Sequence, residues 1–197
     1  MIEKEHVSKV IEALRAVVAP SCQQPIATGQ HQVTIREKKP AAKGRLDEVH
    51  IDNIKEPLAL LFPDKARPVL CGFLAEGKTQ KACDAILATR YEGTGYLIVC
   101  EMKSGKIKGV STQLKNTACF VDLLVSLARN HHDLDLSQWE RRYVVLCARS
   151  LNKSATRPGQ PKSGCSPFRP KEIFVKNQAR LPIGALCLPA AKITAMP

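Results

Sequence analysis

Aromatic residues are scarce in this chain of 197 residues, at 5% of the total, so a hydrophobic core must rest on aliphatic side chains and cysteine. No apolar run approaches the roughly 18 residues that a helix needs to cross a bilayer. The first ten residues, MIEKEHVSKV, hold acids and lack the apolar segment of a secretory signal. Hydrophobic residues make up 44% of the chain, enough to fold. We therefore expect one soluble, cytoplasmic domain over residues 1–197.

The eight cysteines lack the close pairing of a metal-binding or redox motif, since no CxxC occurs. Cys83, Cys100 and Cys147 lie within apolar runs, where cysteine behaves as a small hydrophobe. With no secretion signal in view, we expect reduced, buried thiols rather than disulfides or a structural zinc site.

Acidic residues are almost missing from the last third of the chain. Residues 141–197 hold eleven Lys or Arg and one acid, Glu172, whereas residues 1–140 hold nineteen basic and seventeen acidic residues. The net charge of +12 therefore comes mostly from the last third. A basic surface on a near-neutral body indicates a polyanionic partner, with nucleic acid as the first candidate. The alternative is a solvated basic tail, or an RNA-bound tail without chemistry.

Hydrophobic periodicity predicts an α/β fold. Residues 2–18 and 108–130 carry apolar residues at helical spacing. Apolar runs at 82–91 and 96–103 are separated by EGTG, which is typical of a β-hairpin. The other predicted strands are 32–37, 69–74, 142–148 and 172–176, residues 58–62 (LALLF) are of uncertain type, and residues 38–48 and 150–171 are predicted loops. This order indicates a mixed central sheet flanked by helices.

Three charged residues interrupt the apolar hairpin: Asp84 in the first run, and Glu101 and Lys103 in the second. Residues two apart in a strand point to the same face, so Glu101 and Lys103 share a face. A turn centred on EG places residue 84 opposite 101, and a turn centred on EGTG places it opposite 103. Directly opposed residues share a face, so either register gathers all three charges on one side.

Burial of two carboxylates beside aliphatic residues is costly unless they are paired or bind a metal. Mg²⁺ prefers oxygen ligands, keeps several waters and lowers their pKa. Lys103 would orient or deprotonate such a water, or offset charge in the transition state. This set of groups suits hydrolysis of phosphodiesters. An ordinary ion-pair cluster on a half-exposed sheet is the alternative.

The pattern of Asp84, sixteen residues, Glu101-Met102-Lys103 and a following helix resembles the PD-(D/E)xK superfamily of restriction-endonuclease-like nucleases. The resemblance covers about residues 80–148. It implies that Asp84, Glu101 and the backbone carbonyl of Met102 bind Mg²⁺ or Mn²⁺, and that Lys103 is catalytic.

The same resemblance implies a restriction-endonuclease-like αβββαβ core at about residues 69–148. Gln113 stands on the long helix where many members place a glutamine near the site, whereas Thr117 stands where some have tyrosine, and Cys83 replaces the proline of the family name. The implied activity is that of a metal-dependent endonuclease, with DNA as the expected substrate, a homodimer or larger assembly among the expected forms, and defence among the settings. A non-catalytic nucleic-acid-binding protein with an inactive nuclease-like fold is the alternative.

Basic residues outside the hairpin are candidates for contacts with phosphate. A single basic residue indicates little, but together these residues would contact successive phosphates of a nucleic acid. Binding of that kind weakens as the salt concentration rises. The candidates are Lys106, Lys108, Arg141, Arg142, Arg157, Lys162, Arg169 and Lys171.

Two further groups contain residues that bind metals elsewhere. Residues 131–133 (HHD) end the long helix, where histidine complements the helix dipole, and ligation is the alternative. His50 lies near three acids, in what we interpret as a solvated loop or a part of the metal site. Those acids are Asp47, Glu48 and Asp52. No acid of the first helix is assigned to the site, because Glu12 projects from the apolar stripe and Glu3 lies at a fraying end.

Overall fold

The computed structural model describes residues 4–24, 31–36, 46–61, 81–104, 109–148 and 164–188. In chain order the elements are α1 (Lys4–Val17), a 3₁₀ turn (Pro20–Cys22), β1 (Gln32–Arg36), β2 (Glu48–Asp52), β3 (Lys55–Leu61), β4 (Ala85–Tyr91), β5 (Thr94–Lys103), α2 (Val110–His132), β6 (Glu140–Ala148), β7 (Lys171–Val175), β8 (Ala179–Pro182) and α3 (Gly184–Cys187). Within these ranges, no helix combines the length and apolar character that a membrane span requires.

Two mixed sheets and two layers of helix make up the molecule. The larger sheet has the strand order β3-β4-β5-β6-β7, antiparallel from β3 to β5 and parallel from β5 to β7. The smaller sheet has the order β1-β2-β8, with β8 parallel to β2. Helices α1 and α2 cover one face of the larger sheet, while the smaller sheet and α3 cover the other. The chain is therefore a mixed α/β protein with mixed sheets flanked by helices, as predicted.

Strand β5 is buried on both faces, because its alternate side chains enter two separate cores. Leu97 and Val99 pack with α1 and α2, whereas Ile98 and Cys100 pack with the smaller sheet. A strand covered on both faces is expected to be a continuous apolar run. A carboxylate near the end of such a strand, at Glu101, is therefore unusual.

The hairpin between β4 and β5 turns on two residues, Glu92 and Gly93, which both have positive φ (47° and 79°). Two successive positive φ angles are the signature of the type I′ turn that suits the twist of paired strands. Tyr91 pairs with Thr94 and Ala85 with Cys100. The structure thus has the EG-centred register, one of the two that the sequence left open.

Several predicted elements agree with the structure, and others differ. The two long helices, the hairpin and the strands near 32–37, 142–148 and 172–176 are present within a few residues of their predicted ends. Residues 58–61 (LALL) belong to β3, which begins at Lys55, so the larger sheet extends well before the predicted core boundary of residue 69. Interpreting the stretch around His50 as a solvated loop was wrong, because β2 occupies Glu48–Asp52. The predicted strand at 69–74 lies outside the described residues.

Candidate functional site

The site lies at the edge of the larger sheet where β5 ends and β4 begins. The backbone N–H of Asp84, just before β4, donates to the carbonyl of Cys100 at 3.1 Å, which places Asp84 opposite Glu101. Ile86 and Val99 of the same strands pack on the helical side. Because side chains alternate along a strand, Asp84, Glu101 and Lys103 also belong to the helical side.

Asp84 is held by the backbone of the strand beside it. Its Oδ2 accepts the N–H of Met102 at 2.7 Å, and its side chain is buried. The Met102 side chain belongs to the opposite core, packed towards the smaller sheet. The main chain of the residue between Glu101 and Lys103 therefore participates in the site, here through its N–H.

Glu101, Lys103 and Gln113 form a chain of contacts that ends on the backbone before Asp84. Lys103 Nζ forms an ion pair with Glu101 Oε1 and donates to Gln113 Oε1 at 3.0 Å. Gln113, in the first turn of α2, donates from Nε2 to the carbonyl of Ala82 at 3.2 Å. The structure thus brings together all four residues predicted to act in the site.

The electrostatic position of Glu101 is unfavourable in the protein alone. The residue is 1% exposed, and its second oxygen, Oε2, is buried without a hydrogen-bond partner among the described residues. Burial, and then the charge of Asp84, raise the pKa of Glu101 from 4.5 to about 7, although Lys103 and Gln113 oppose the shift. A buried oxygen with no donor beside a second carboxylate is an arrangement that a cation would stabilise.

Helix α2 clamps the backbone that leads into Asp84, a feature that the sequence analysis missed. Thr117 is fully buried, and its Oγ1 accepts the N–H of Cys83 at 2.9 Å. Asn116 Nδ2 donates to the carbonyl of Lys81 at 2.8 Å. Thr117 follows Gln113 by one helical turn, so the two side chains lie on one face. The sequence contained one indication of this role, because Thr117 is a polar residue within the apolar stripe of α2.

Only some of the basic candidates lie on the described surface. Arg169 is exposed, and Arg141 forms an ion pair with Asp122 of α2. Lys106, Lys108, Arg157 and Lys162 lie outside the described residues. Assigning Arg142 and Lys171 to a surface was wrong. Arg142 is buried and donates from Nε to the carbonyl of Cys187 at 2.7 Å, and Lys171 is buried and donates to two carbonyls around α3.

The other histidines and acids lie away from the site. His50 belongs to β2 rather than to a loop, and its Nδ1 contacts Thr34 Oγ1 at 3.0 Å. Its neighbours Val49 and Ile51 point into the core, so Glu48, His50 and Asp52 point outwards from the smaller sheet. His131 and His132 are exposed at the end of α2, and Glu12 is exposed on α1. Glu3 lies outside the described residues.

No group of three His, Cys, Asp or Glu side chains suited to a metal occurs among the described residues. Asp84 and Glu101 thus contribute two carboxylates, and any further ligand must be a backbone oxygen, water, substrate or a residue beyond the described ranges. Comparison with protein-family models, with curated proteins and with solved structures found no match to this chain.

Proposed function

We propose that this protein is a Mg²⁺- or Mn²⁺-dependent nuclease that hydrolyses phosphodiester bonds of DNA, with a restriction-endonuclease-like core. The observation that carries the proposal is the buried carboxylate pair of Asp84 and Glu101, with Lys103 beside it and no described hydrogen-bond donor to Glu101 Oε2. An ion-pair cluster serving stability alone would leave no buried carboxylate oxygen unsatisfied, because such an atom costs about 1–3 kcal/mol or more.

The order of elements supports the proposal. Helix α1 precedes the antiparallel strands β3, β4 and β5, and helix α2 then leads to β6, which is parallel to β5. Strands β1 and β2 of the smaller sheet lie between α1 and β3; with these two set aside, the order agrees with the αβββαβ order that the resemblance implies. Glu101 stands near the end of the central strand β5 and Asp84 just before β4, next to Lys103, whose side chain is 19% exposed.

The side chains at the site fit a hard divalent cation. Asp84 and Glu101 offer carboxylate oxygens, and the carbonyl of Met102 is the further candidate ligand. A bound cation would supply Lewis-acid stabilisation of the phosphate and a more acidic water. Occupancy would also give Glu101 Oε2 the positive partner that it lacks in the described part of the chain, and would hold the carboxyl of Glu101 in its ionised form.

The chain's own residues then have distinct tasks. Lys103, an ammonium 19% exposed beside Glu101, offsets negative charge that develops on the phosphate and orients the attacking water. Gln113 fixes Lys103 by accepting its hydrogen bond, and Met102 N–H fixes the Asp84 carboxylate. Rigid placement of this kind matters because small displacements of reacting groups cost large factors in rate.

The charge of the chain supports a polyanionic substrate. Eleven of the 30 basic residues lie at 141–197 with a single acid. Phosphate contacts of such residues make affinity fall steeply with salt.

Purified protein should be incubated with supercoiled plasmid, circular single-stranded DNA and RNA, each with Mg²⁺ and with Mn²⁺. We expect cleavage of DNA that EDTA abolishes and that Asp84→Asn and Lys103→Met reduce by about 100-fold or more, the usual effect of losing one stabilising group. Glu12→Gln, which alters an exposed carboxylate of α1, is the matched control and should cleave normally.

Two results would overturn the proposal: a wild-type protein inert on all three substrates in both metals, or site variants that cleave as fast as the control. Calcium binding by calorimetry gives a second readout, because Ca²⁺ uses the same oxygen ligands. Loss of that binding in Glu101→Gln supports the metal assignment. Salt-sensitive DNA binding that is indifferent to Asp84, without cleavage, would identify a non-catalytic binding protein instead.

A further inference from the structure

Two phenylalanines are exposed on and just before β7, the edge strand of the larger sheet. Phe174, on the edge strand β7, is 59% exposed, and Phe168, in the turn before β7, is 70% exposed. The chain has only five phenylalanines, and large apolar side chains are expensive to leave in water. Exposed aromatic residues that lie close to a candidate site indicate an interaction surface.

Phe174 lies in the same cross-strand row as the candidate catalytic lysine. Lys103 of β5 pairs with Cys147 of β6, and Cys147 pairs with Phe174 of β7. Directly paired residues share a face, so Phe174 is on the helical side of the sheet together with Lys103. With strands about 4.8 Å apart, the Cα atoms of the two residues are separated by roughly 10 Å. This is about the span of one to two nucleotides of an extended strand.

Phe168 lies beside the first turns of α2. The Nζ of Lys115 sits over its ring, 4.5 Å from the centroid, which is a cation–π contact. Lys115 is two residues beyond Gln113, whose side chain holds Lys103. One face of the Phe168 ring is therefore next to a positive charge that can contact phosphate. We call Phe168, Phe174 and Lys115 the aromatic strip.

The charge around the strip decides which occupant it fits. Among the described residues, Lys115 lies over the Phe168 ring and the exposed Arg169 directly follows Phe168, whereas Glu172 of β7 is two residues from Phe174 and shares its face. Positive side chains interleaved with exposed aromatic rings suit a strand whose phosphates contact the charges and whose bases stack on the rings. Bases of an intact duplex are stacked on one another and cannot do so.

We propose that the aromatic strip stacks on unpaired bases of a nucleic-acid strand and leads that strand to Asp84 and Glu101. The substrate class would then be single-stranded DNA, or duplex DNA with unpaired ends or flaps, rather than continuous duplex. Binding by the strip does not require catalysis, but cleavage of the bound strand rests on the proposed nuclease function.

The test is binding of fluorescent 15-nucleotide strands to the full chain in EDTA, where no cleavage occurs, followed by anisotropy. The three probes are an oligothymidine, a strand of equal length whose central five positions are abasic, and a duplex. The abasic strand keeps all phosphates and loses the stacking bases. We expect wild type to bind the oligothymidine between about five-fold and about 150-fold more tightly than the abasic strand, the range that one stacked base gives, and more tightly still if both rings stack.

Phe174→Ala and Phe168→Ala should lose that preference while binding the abasic strand as wild type does. Phe174→Tyr keeps a stacking ring and should retain it. Leu123→Ala is the matched control, because Leu123 is also exposed (40%) on α2, about 12 Å along the helix axis from Lys115. It should behave as wild type on all three probes.

The inference is overturned if the phenylalanine variants keep the preference for bases, or if wild type binds abasic and normal strands equally. It is also overturned if Phe174→Ala abolishes self-association and leaves strand binding intact, because the occupant is then a second copy of the chain. Cleavage is scored separately. If the protein cleaves DNA but shows no preference for bases, the nuclease proposal is retained and the role of the aromatic strip is rejected. If it prefers bases but cleaves in neither metal, the role of the strip is retained and the nuclease proposal is rejected.

Discussion

Glu101→Gln should stabilise the metal-free protein while removing its proposed activity. Glu101 is 1% exposed with an oxygen unsatisfied by the described residues, and its pKa is raised from 4.5 to about 7. The folded state therefore holds the proton more tightly than the unfolded chain. Relative to a group that does not titrate, Glu101 favours folding most below pH 4.5, and that contribution is lost as the pH rises through 7.

The size of the effect follows from the shift. A pKa of about 7 in the folded state and 4.5 in the unfolded state means that Glu101 lowers the free energy of unfolding by about 3 kcal/mol at pH 8. Glutamine has the same shape and no charge, so it avoids this penalty. The pKa of about 7 already contains the attraction of Lys103, which keeps its bond to Gln113 in the variant. The expectation is therefore about 3 kcal/mol of stabilisation at pH 8, or about 6–12 °C in Tm.

The assay is thermal unfolding of wild type and Glu101→Gln from pH 4.5 to 8 in EDTA, with Glu12→Gln as the exposed-carboxylate control. The stability difference between wild type and Glu101→Gln should grow with pH, and the control should follow wild type. Excess Mg²⁺ should then raise the Tm of wild type and of the control but not that of Glu101→Gln, since a ligand at 100 times its Kd contributes about 2.7 kcal/mol. A Glu101→Gln protein that is less stable than wild type at pH 8 in EDTA would refute the reasoning.

Three smaller predictions concern stability. Thr117→Val should lower the free energy of unfolding by about 1–3 kcal/mol in chemical denaturation, because it leaves the buried N–H of Cys83 without an acceptor. Gly95→Ala should lower the free energy of unfolding by about 1–3 kcal/mol, because its new Cβ would meet the buried indole of Trp139 at 2.6 Å. The double variant Gly95→Ala, Trp139→Leu should lose less stability than the sum of the two single losses. Asp52→Asn should lower the free energy of unfolding by at most about 1 kcal/mol at neutral pH. Because Arg180 lowers the pKa of Asp52, thermal unfolding should show this difference vanish as the pH falls through that lowered pKa.

Each of these predictions has a control or a contrary result. Thr117→Ser keeps the hydroxyl, so it should retain metal binding and cleavage even where the lost methyl lowers stability. Gly109→Ala places a Cβ in open space at φ 82°, so it reports backbone strain without a clash. Strictly additive losses for Gly95 and Trp139 would contradict the steric account. A pH-independent loss for Asp52→Asn would contradict the ion-pair account.

Local pattern was enough to predict most elements of this fold. The β4–β5 hairpin was readable because the Glu92-Gly93 turn separates two apolar runs, and the helices because their apolar residues recur at a fixed spacing. Strand β2 escaped because it is short and alternates with charged residues that lie on the exposed face of the smaller sheet. Its partner β8 is distant in sequence, so no local signal connects the two strands.

The shared face of the three charged residues in the candidate site could also be predicted from the sequence. Parity of side chains along β4 and β5 required Asp84, Glu101 and Lys103 to share a face, under either turn. The contacts of Gln113 and Thr117 could not be read, because α2 reaches the backbone before Asp84 only after the chain has folded back across the sheet. A count of charges in the sequence could not show that Arg142 and Lys171 are buried.

The sequence by itself determined the two long helices, the β4–β5 hairpin and the shared face of the three charges under either turn, since these depend on neighbours a few residues apart. Tertiary structure alone decided how deeply Glu101 is buried, that Oε2 has no donor in the described part of the chain, and that Arg142 and Lys171 face inwards. It also decided that Phe174 stands exposed in the row of Lys103. These properties depend on which layers stack on which, and stacking is set by contacts between residues far apart in the chain.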